Sequence, residues 1–249
     1  MKVIGLDLSS STGLCVFKNG KLDQHITIKE KLEGSYNSKE YPFNYLDQAD
    51  NMAKKVIACI VVERPDYVVI EETNKAKNRY SQKQLEFIHA HVARRLRLYN
   101  EQMEAQGNSP TKIHYIDSAA WRKILNISLN TNQRSLNKEH KADREAKREE
   151  ISKQIYASLE HRIRKEIEGL GKREANKIIK KWDKEINAEV SKKMRSVRSK
   201  IKKTDSKDLA VLYINKTFDL ELKKSQNDEA DAICVAYAFI VNGYSAAKK

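Results

Sequence analysis

Four acidic residues of this 249-residue chain sit where acids are expensive. Asp7 closes the apolar run Val3-Ile-Gly-Leu6, and Glu71 follows Tyr67-Val-Val-Ile70. A carboxylate in a buried strand carries a desolvation penalty unless something compensates it. Asp228 and Asp231 stand three apart in NDEADAICVAYAF, at the start of an otherwise apolar helix. That spacing puts them on one helix face, with Cβ atoms about 5 to 6 Å apart. Read alone, the stretch is a capped core helix, with Asn227 or Asp228 as cap and the other acids serving the helix dipole. If it converges with Asp7 and Glu71, four carboxylates repel one another and require a cation. Oxygen ligands without cysteine or histidine suit Mg²⁺ or Mn²⁺. Two such ions about 4 Å apart are the arrangement that hydrolyses phosphodiesters. One neighbour is a decoy: Glu229, which points about 100° away from Asp228 on the helix.

The elements that must carry these acids read as α/β. Lys2 to Leu8, Leu14 to Phe17, and Lys21-Leu22 on to Ile28 form a meander, with Asn19-Gly20 as a two-residue hairpin turn. A helix over Tyr45 to Val62 ends at Arg64-Pro65-Asp66, and Tyr67 to Glu71 is a buried strand. Ser81 to Gln106 is a long amphipathic helix, and Lys112 to Ile116 a fifth strand. A short helix follows from Ser118, and Lys207 to Phe218 and Asp228 to Val241 close the chain. The order predicts a mixed five-stranded sheet, three antiparallel strands plus parallel strands, flanked by helices. A right-handed crossover puts strand one beside Tyr67 to Glu71, so Asp7 and Glu71 meet.

Between 130 and 204 the composition changes. This segment holds 23 Lys or Arg against 12 Asp or Glu, most of the excess behind a whole-chain charge of +14. Apolar residues recur at helical intervals, from Ile151 to Leu170 and from Ile178 to Ile201, with Gly169-Leu-Gly171 between them. The spacing predicts a basic helical hairpin inserted between a first core part, 1–129, and a C-terminal one, 205–249. The charge points to a polyanion, nucleic acid first. Three scattered cysteines, Cys15, Cys59 and Cys234, frame neither disulfide nor zinc site and read as reduced core residues. No apolar run is long enough to span a membrane, and no signal-peptide pattern opens the chain. A cytoplasmic location is expected. His89 and His91 do not share a helix face, and His25, His114, His140 and His161 read as isolated.

Three stretches, VIGLDLSSSTG at 3–13, VVIEE at 68–72 and NDEADAICVAYA at 227–238, together resemble the motifs of RuvC-type Holliday-junction resolvases of the RNase H-like superfamily. The resemblance spans the chain apart from the insertion, and is closest to phage-type members, for which the location is the host cytoplasm. It implies an RNase H-like fold, a homodimer and resolution of branched DNA by paired nicks leaving 5′-phosphate ends. Asp7, Glu71, Asp228 and Asp231 match the family's catalytic metal ligands. Asp7 is expected to bridge two Mg²⁺ ions, one lowering the pKa of the attacking water and the other neutralising the departing 3′ oxygen. Mn²⁺ is expected to substitute.

Trp121 of Ser118-Ala-Ala-Trp-Arg-Lys resembles a residue that packs the short helix onto the sheet. The family's junction-wedging aromatic has no counterpart directly after Glu71. The chain instead reads Thr73-Asn-Lys-Ala-Lys-Asn-Arg-Tyr80, making Lys75, Lys77, Arg79 and Tyr80 candidate DNA contacts. Lys203 and Lys207 are candidates to orient the phosphate. The long helix from Ser81 is one candidate dimer face and the hairpin its rival. Competing readings are a ribonuclease H or exonuclease built on the same acids, a sugar-kinase-type ATPase lacking its second phosphate loop, and a non-catalytic DNA-binding module.

Overall fold

A computed structural model describes residues 1–34, 40–72, 78–129, 131–201 and 206–243. It divides into two compact units, one of Met1–Ser128 with Ser206–Lys249 and the other of Leu129–Asp205.

The first unit is built on a five-stranded sheet, in the order β3-β2-β1-β4-β5. Strands β1 (Lys2–Asp7), β2 (Ser11–Lys18) and β3 (Lys21–Lys29) form the antiparallel meander. Asn19 and Gly20, both at positive φ, make its two-residue turn. Strands β4 (Tyr67–Glu72) and β5 (Lys112–Asp117) run parallel to β1. Helix α1 (Phe43–Glu63) connects β3 to β4, and α2 (Arg79–Ala105) connects β4 to β5. The short α3 (Ser118–Ile124) follows β5, with Asp117 accepting hydrogen bonds from the Ala119 and Ala120 amides. Helices α6 (Ser206–Phe218) and α7 (Asn227–Val241) complete the unit, with a 3₁₀ turn at Lys224–Gln226 before α7.

Side chains alternate across a strand, and this period sorts β1 between two cores. Ile4, Leu6 and Leu8 pack with Val68 and Ile70 against α1 and α2. Val3 and Val69 lie on the opposite face, with Cys15, Phe17 and the apolar residues of α7. Asp7 and Glu71 share the parity of Val3 and Val69, so the pleat alone assigns both acids to the α7 face. The pairing of Leu6 with Ile70 then sets Asp7 and Glu71 on adjoining positions of neighbouring strands. Trp121 is fully buried in the α7 core, as its motif implied. The three cysteines are free; Cys15 and Cys234 are buried and Cys59 only partly so.

The second unit holds α4 (Thr131–Ile167) and α5 (Lys172–Lys200). Gly169 takes positive φ in the turn between them, and Gly171 begins α5. Ile151, Ile155 and Ile163 of α4 pack against Trp182, Ile186, Val190 and Met194 of α5. The Trp182 indole N–H donates to Glu166 at 3.0 Å, near the turn. The two helices are therefore antiparallel. Among the described residues, no helix is long and apolar enough to cross a membrane.

Candidate metal centre

Asp7 ends β1, Glu71 lies at the end of β4, and Asp231 stands in the second turn of α7. Carboxylate oxygens of these three all lie within 4.8 Å of one another. The register of the parallel strands brings the first two together, and the third arrives because α7 lies very close to the sheet. Two glycines permit that approach. A Cβ on Gly5 would stand 2.3 Å from the Ala232 carbonyl oxygen, and one on Gly13 would stand 1.8 Å from that of Asp228. Both contacts are with backbone, which no rotamer change relieves. The Cys15 thiol donates to the Ala232 carbonyl at 3.3 Å, adding to the seam.

A glycine inside a buried strand is the sequence signal for such a close approach, and Gly5 and Gly13 carry it. Gly13→Ala is expected to lower stability by about 1 to 3 kcal/mol and to displace the start of α7. Gly171→Ala has open space around it and is expected to change stability by less than about 0.5 kcal/mol. Thermal melts of the two variants check this; a Gly13→Ala protein as stable as the parent would show that the seam can yield.

The three acids are strained electrostatically. Burial pushes Asp7 well above the ordinary carboxylate range, and Glu71 and Asp231 add repulsion. Burial, then repulsion from Asp231, raises Glu71 to about 7, against the pull of Arg122. Burial raises Asp231 to about 6, opposed by Lys207 and Arg122. Asp231 Oδ1 is buried and, among the described residues, has no hydrogen-bond partner. A buried carboxylate oxygen left without a donor is an exception that calls for a ligand. The set thus fits a hard divalent cation: oxygen donors only, surplus negative charge, and one oxygen aimed at nothing.

Asp228 is not part of the three-acid group. Its Oδ1 accepts a hydrogen bond from Asn227 Nδ2 at 2.6 Å and lies 3.6 Å from Lys207 Nζ. The same ammonium is 3.7 Å from Asp231. Burial opposes the charge on Lys207, but Asp231, Asp7, Asp228 and Glu71 outweigh it and raise the ammonium above its ordinary value. Arg122, whose guanidinium lies 4.3 Å over the Trp121 ring, supplies a second positive charge, felt by Glu71 and Asp231. The sequence reading had no role for Arg122.

Glu229 is outside the cluster, as its helical angle implied, but it is no bystander. It is buried, accepting a hydrogen bond from Thr27 Oγ1 at 2.7 Å and pairing with His25 Nδ1 at 2.6 Å. Burial alone would raise its pKa, yet the hydrogen bonds from Thr27, His25 and Gln226 lower it. The three residues buckle the first turn of α7 to β3. His25, expected to be isolated, is therefore an anchoring residue. The expected side-chain cap of α7 is absent too: Asn227 is already helical and spends its amide on Asp228.

The remaining candidates divide. Arg79 and Tyr80 are exposed at the start of α2, which Asn78 caps through the Tyr80 and Ser81 amides. Lys75, Lys77 and Lys203 lie outside the described residues. Of the three described candidates, Arg79, Tyr80 and Lys207, it is Lys207 that lies against the carboxylates.

No protein-family model matches the chain, and no curated protein does. Among solved structures, the chain is similar to Thermus thermophilus RuvC in complex with a Holliday junction substrate, at 11% identity and a TM-score of 0.48. That match covers 98% of this chain and 96% of the other. A second Thermus thermophilus RuvC structure aligns at 11% identity and a TM-score of 0.46, covering 98% and 97%. The yeast mitochondrial Holliday junction resolvase Ydc2 aligns at 10% identity and a TM-score of 0.43, covering 96% and 78%. This chain's own strand order, an antiparallel β3-β2-β1 meander joined to parallel β4 and β5 with helices on both faces, is that of the RNase H-like fold.

Proposed function

We propose that this chain is a metal-dependent, structure-selective endonuclease that resolves Holliday junctions and other branched DNA by paired phosphodiester hydrolysis. The observation that carries the reading is the meeting of Asp7, Glu71 and Asp231, with a buried Asp231 oxygen left unpartnered. The resemblance of the three motif stretches to RuvC-type resolvases and the net charge of +14 support the substrate class.

Asp7, Glu71 and Asp231 would hold the cation, and Asp228 would join them only by leaving Asn227 and Lys207. Bound there, Mg²⁺, or Mn²⁺ in its place, would supply Lewis acidity for activating a water and stabilising the leaving 3′ oxygen. Lys207 presents an ammonium to the same space and is placed to donate to a non-bridging oxygen of the scissile phosphate. Arg122 limits how far Glu71 and Asp231 rise, keeping them closer to the ionised form that a cation requires. Glu229, through His25 and Thr27, keeps the Asp228 and Asp231 turn against the sheet. Two symmetric cuts in a four-way junction call for a two-fold dimer, with α2 or the hairpin as the contact.

The test is one gel assay with Mg²⁺ on four-way, three-way, flap, linear duplex and RNA/DNA hybrid substrates. Paired nicks leaving 5′-phosphate ends in the four-way junction are expected. Cutting confined to the hybrid would replace this reading with that of a ribonuclease H.

A further inference from the structure

The two helices of the hairpin differ in length: α4 has 37 residues and α5 has 29. At 1.5 Å per residue they run about 55 and 43 Å. Because a tight turn joins them at one end, the surplus of about 12 Å falls at the N-terminal end of α4. Arg144 marks where α5 stops, since its Nε donates to the Ile201 carbonyl, just past the end of α5, at 3.0 Å.

The face of α4 that meets α5 is apolar at Ile151, Ile155, Leu159 and Ile163. Towards the N-terminus the same helix face continues, its spacing changing from intervals of four to alternating threes and fours. Arg148, Arg144, Lys141, Asn137 and Arg134 step back at alternating intervals of three and four, the spacing of side chains that face a partner helix. The chemistry changes along this one face. The stripe is oily where α5 covers it and basic where it runs to the end of α5 and past it.

Lys138 and Arg198 border the stripe, and with Met194 these residues line a cleft of about 630 Å³. Six basic side chains meet there against one acid, Glu145, which lies 3.7 Å from Lys141. Elsewhere on the hairpin some bases pair with acids one turn away, as in Lys147 with Glu150, Lys153 with Glu149, Arg164 with Glu160 and Lys193 with Glu189. Among the described residues, Arg134, Lys138, Arg148 and Arg198 have no carboxylate partner. An ordinary solvated helix surface needs no such concentration of one sign along its packing stripe.

We propose that this cleft is a binding site for the phosphate backbone of duplex DNA, gripping an arm of the branched substrate. The inference rests on the DNA reading above and extends it to the hairpin. From Arg134 to Arg148 the stripe is about 21 Å long, a length over which duplex DNA presents about a dozen phosphate charges. A second copy of the chain fits the cleft poorly, because it would bring its own unmatched bases to the same seam. Guanidinium groups, which dominate the lining, suit phosphate oxygens through paired N–H donors.

The test compares two full-length variants of equal charge loss, both in an Asp7→Asn background that prevents cleavage. One replaces Arg134, Lys138, Arg148 and Arg198 with Gln, leaving Arg144 to hold the end of α5. The other replaces Lys177, Lys180, Lys184 and Arg195, exposed on the far side of α5 from Trp182 and Ile186. Helix content by circular dichroism verifies that both fold. Anisotropy titrations of a labelled four-way junction are expected to show Kd rising about 100-fold for the first variant. The slope of log K against log salt should fall by about 3 to 4. The second variant is expected to stay within about 3-fold of the parent. Equal weakening by both sets, or none by the first, overturns the proposal. So does a parental preference for single-stranded RNA over the junction that the first variant abolishes. Binding is read without cleavage, so loss of the nuclease reading in the substrate panel and loss of the grip in these titrations are separate results.

Discussion

Asp7→Asn is expected to abolish cleavage of a four-way junction while leaving the junction bound. Asp7 lies between Glu71 on β4 and Asp231 on α7, and its carboxylate is the one most disturbed by the other two. Removing its charge relieves the repulsion but takes away a ligand on which a cation depends. The expected fall in rate is at least about 10³-fold, the size associated with groups that stabilise charge at a reacting centre. Junction affinity should remain within about 3-fold, since the change removes a negative charge from a surface that must meet phosphates. Single-turnover cleavage and a binding titration on the same preparation separate the two effects. A variant that keeps a tenth of the parental rate would remove Asp7 from the catalytic centre. A variant that loses binding and cleavage together would favour a structural role, and Glu71→Gln and Asp231→Asn then serve as independent checks.

Without a divalent cation, the folded protein is expected to lose stability as pH rises from about 4 to about 7. The sign follows from which state holds the protons. Glu71 titrates at about 7 when folded against 4.5 when free, and Asp231 at about 6 against 3.8. Below the free values both states are protonated, and there is no penalty. Between the free and folded values the unfolded chain ionises first, so the folded state binds more protons and weakens as pH climbs. Above about 7 both states are ionised and the loss is complete. Glu71 alone is expected to contribute on the order of 2 kcal/mol after allowance for its partial exposure.

Glu71→Gln should therefore melt higher than the parent at about pH 8 in chelator, and no differently at about pH 4. Saturating Mg²⁺, at 100 times its dissociation constant, should restore about 2.7 kcal/mol to the parent. That corresponds to roughly 5 to 10 °C in Tm, and the variant should gain much less. Equal Mg²⁺ shifts in parent and variant, or a variant less stable in chelator at the higher pH, would contradict the metal assignment.

Several features were legible because they depend on local periods. Acids ending apolar strands, Asn19-Gly20 between two strands, and the apolar spacing from Ile151 onward each carry a signal within a few residues. A right-handed crossover then made the strands that carry Asp7 and Glu71 neighbours. Glu229 marks the limit of such local periods. Its helical angle removed it from the acid cluster, correctly, but no local pattern says that the direction it takes leads to Thr27 and His25 on β3. That contact joins residues about two hundred positions apart.

The amino-acid sequence by itself determined the element order, the basic character of the insertion and the identity of the acids that chemistry would need. Tertiary structure alone decided which of those acids actually meet. Asp231 joins Asp7 and Glu71 while Asp228 is held aside by Asn227 and Lys207, a difference of under one helical turn. It also decided why Gly5 and Gly13 are glycine, since the missing Cβ atoms matter only once α7 lies on the strands. In the hairpin, one face of α4 runs from Arg134 to Ile163, and only the packing of α5 shows that its apolar part is covered. The physical reason is common to all three cases: a short period sets the direction of a side chain, but its neighbours are set by register and by where another element ends.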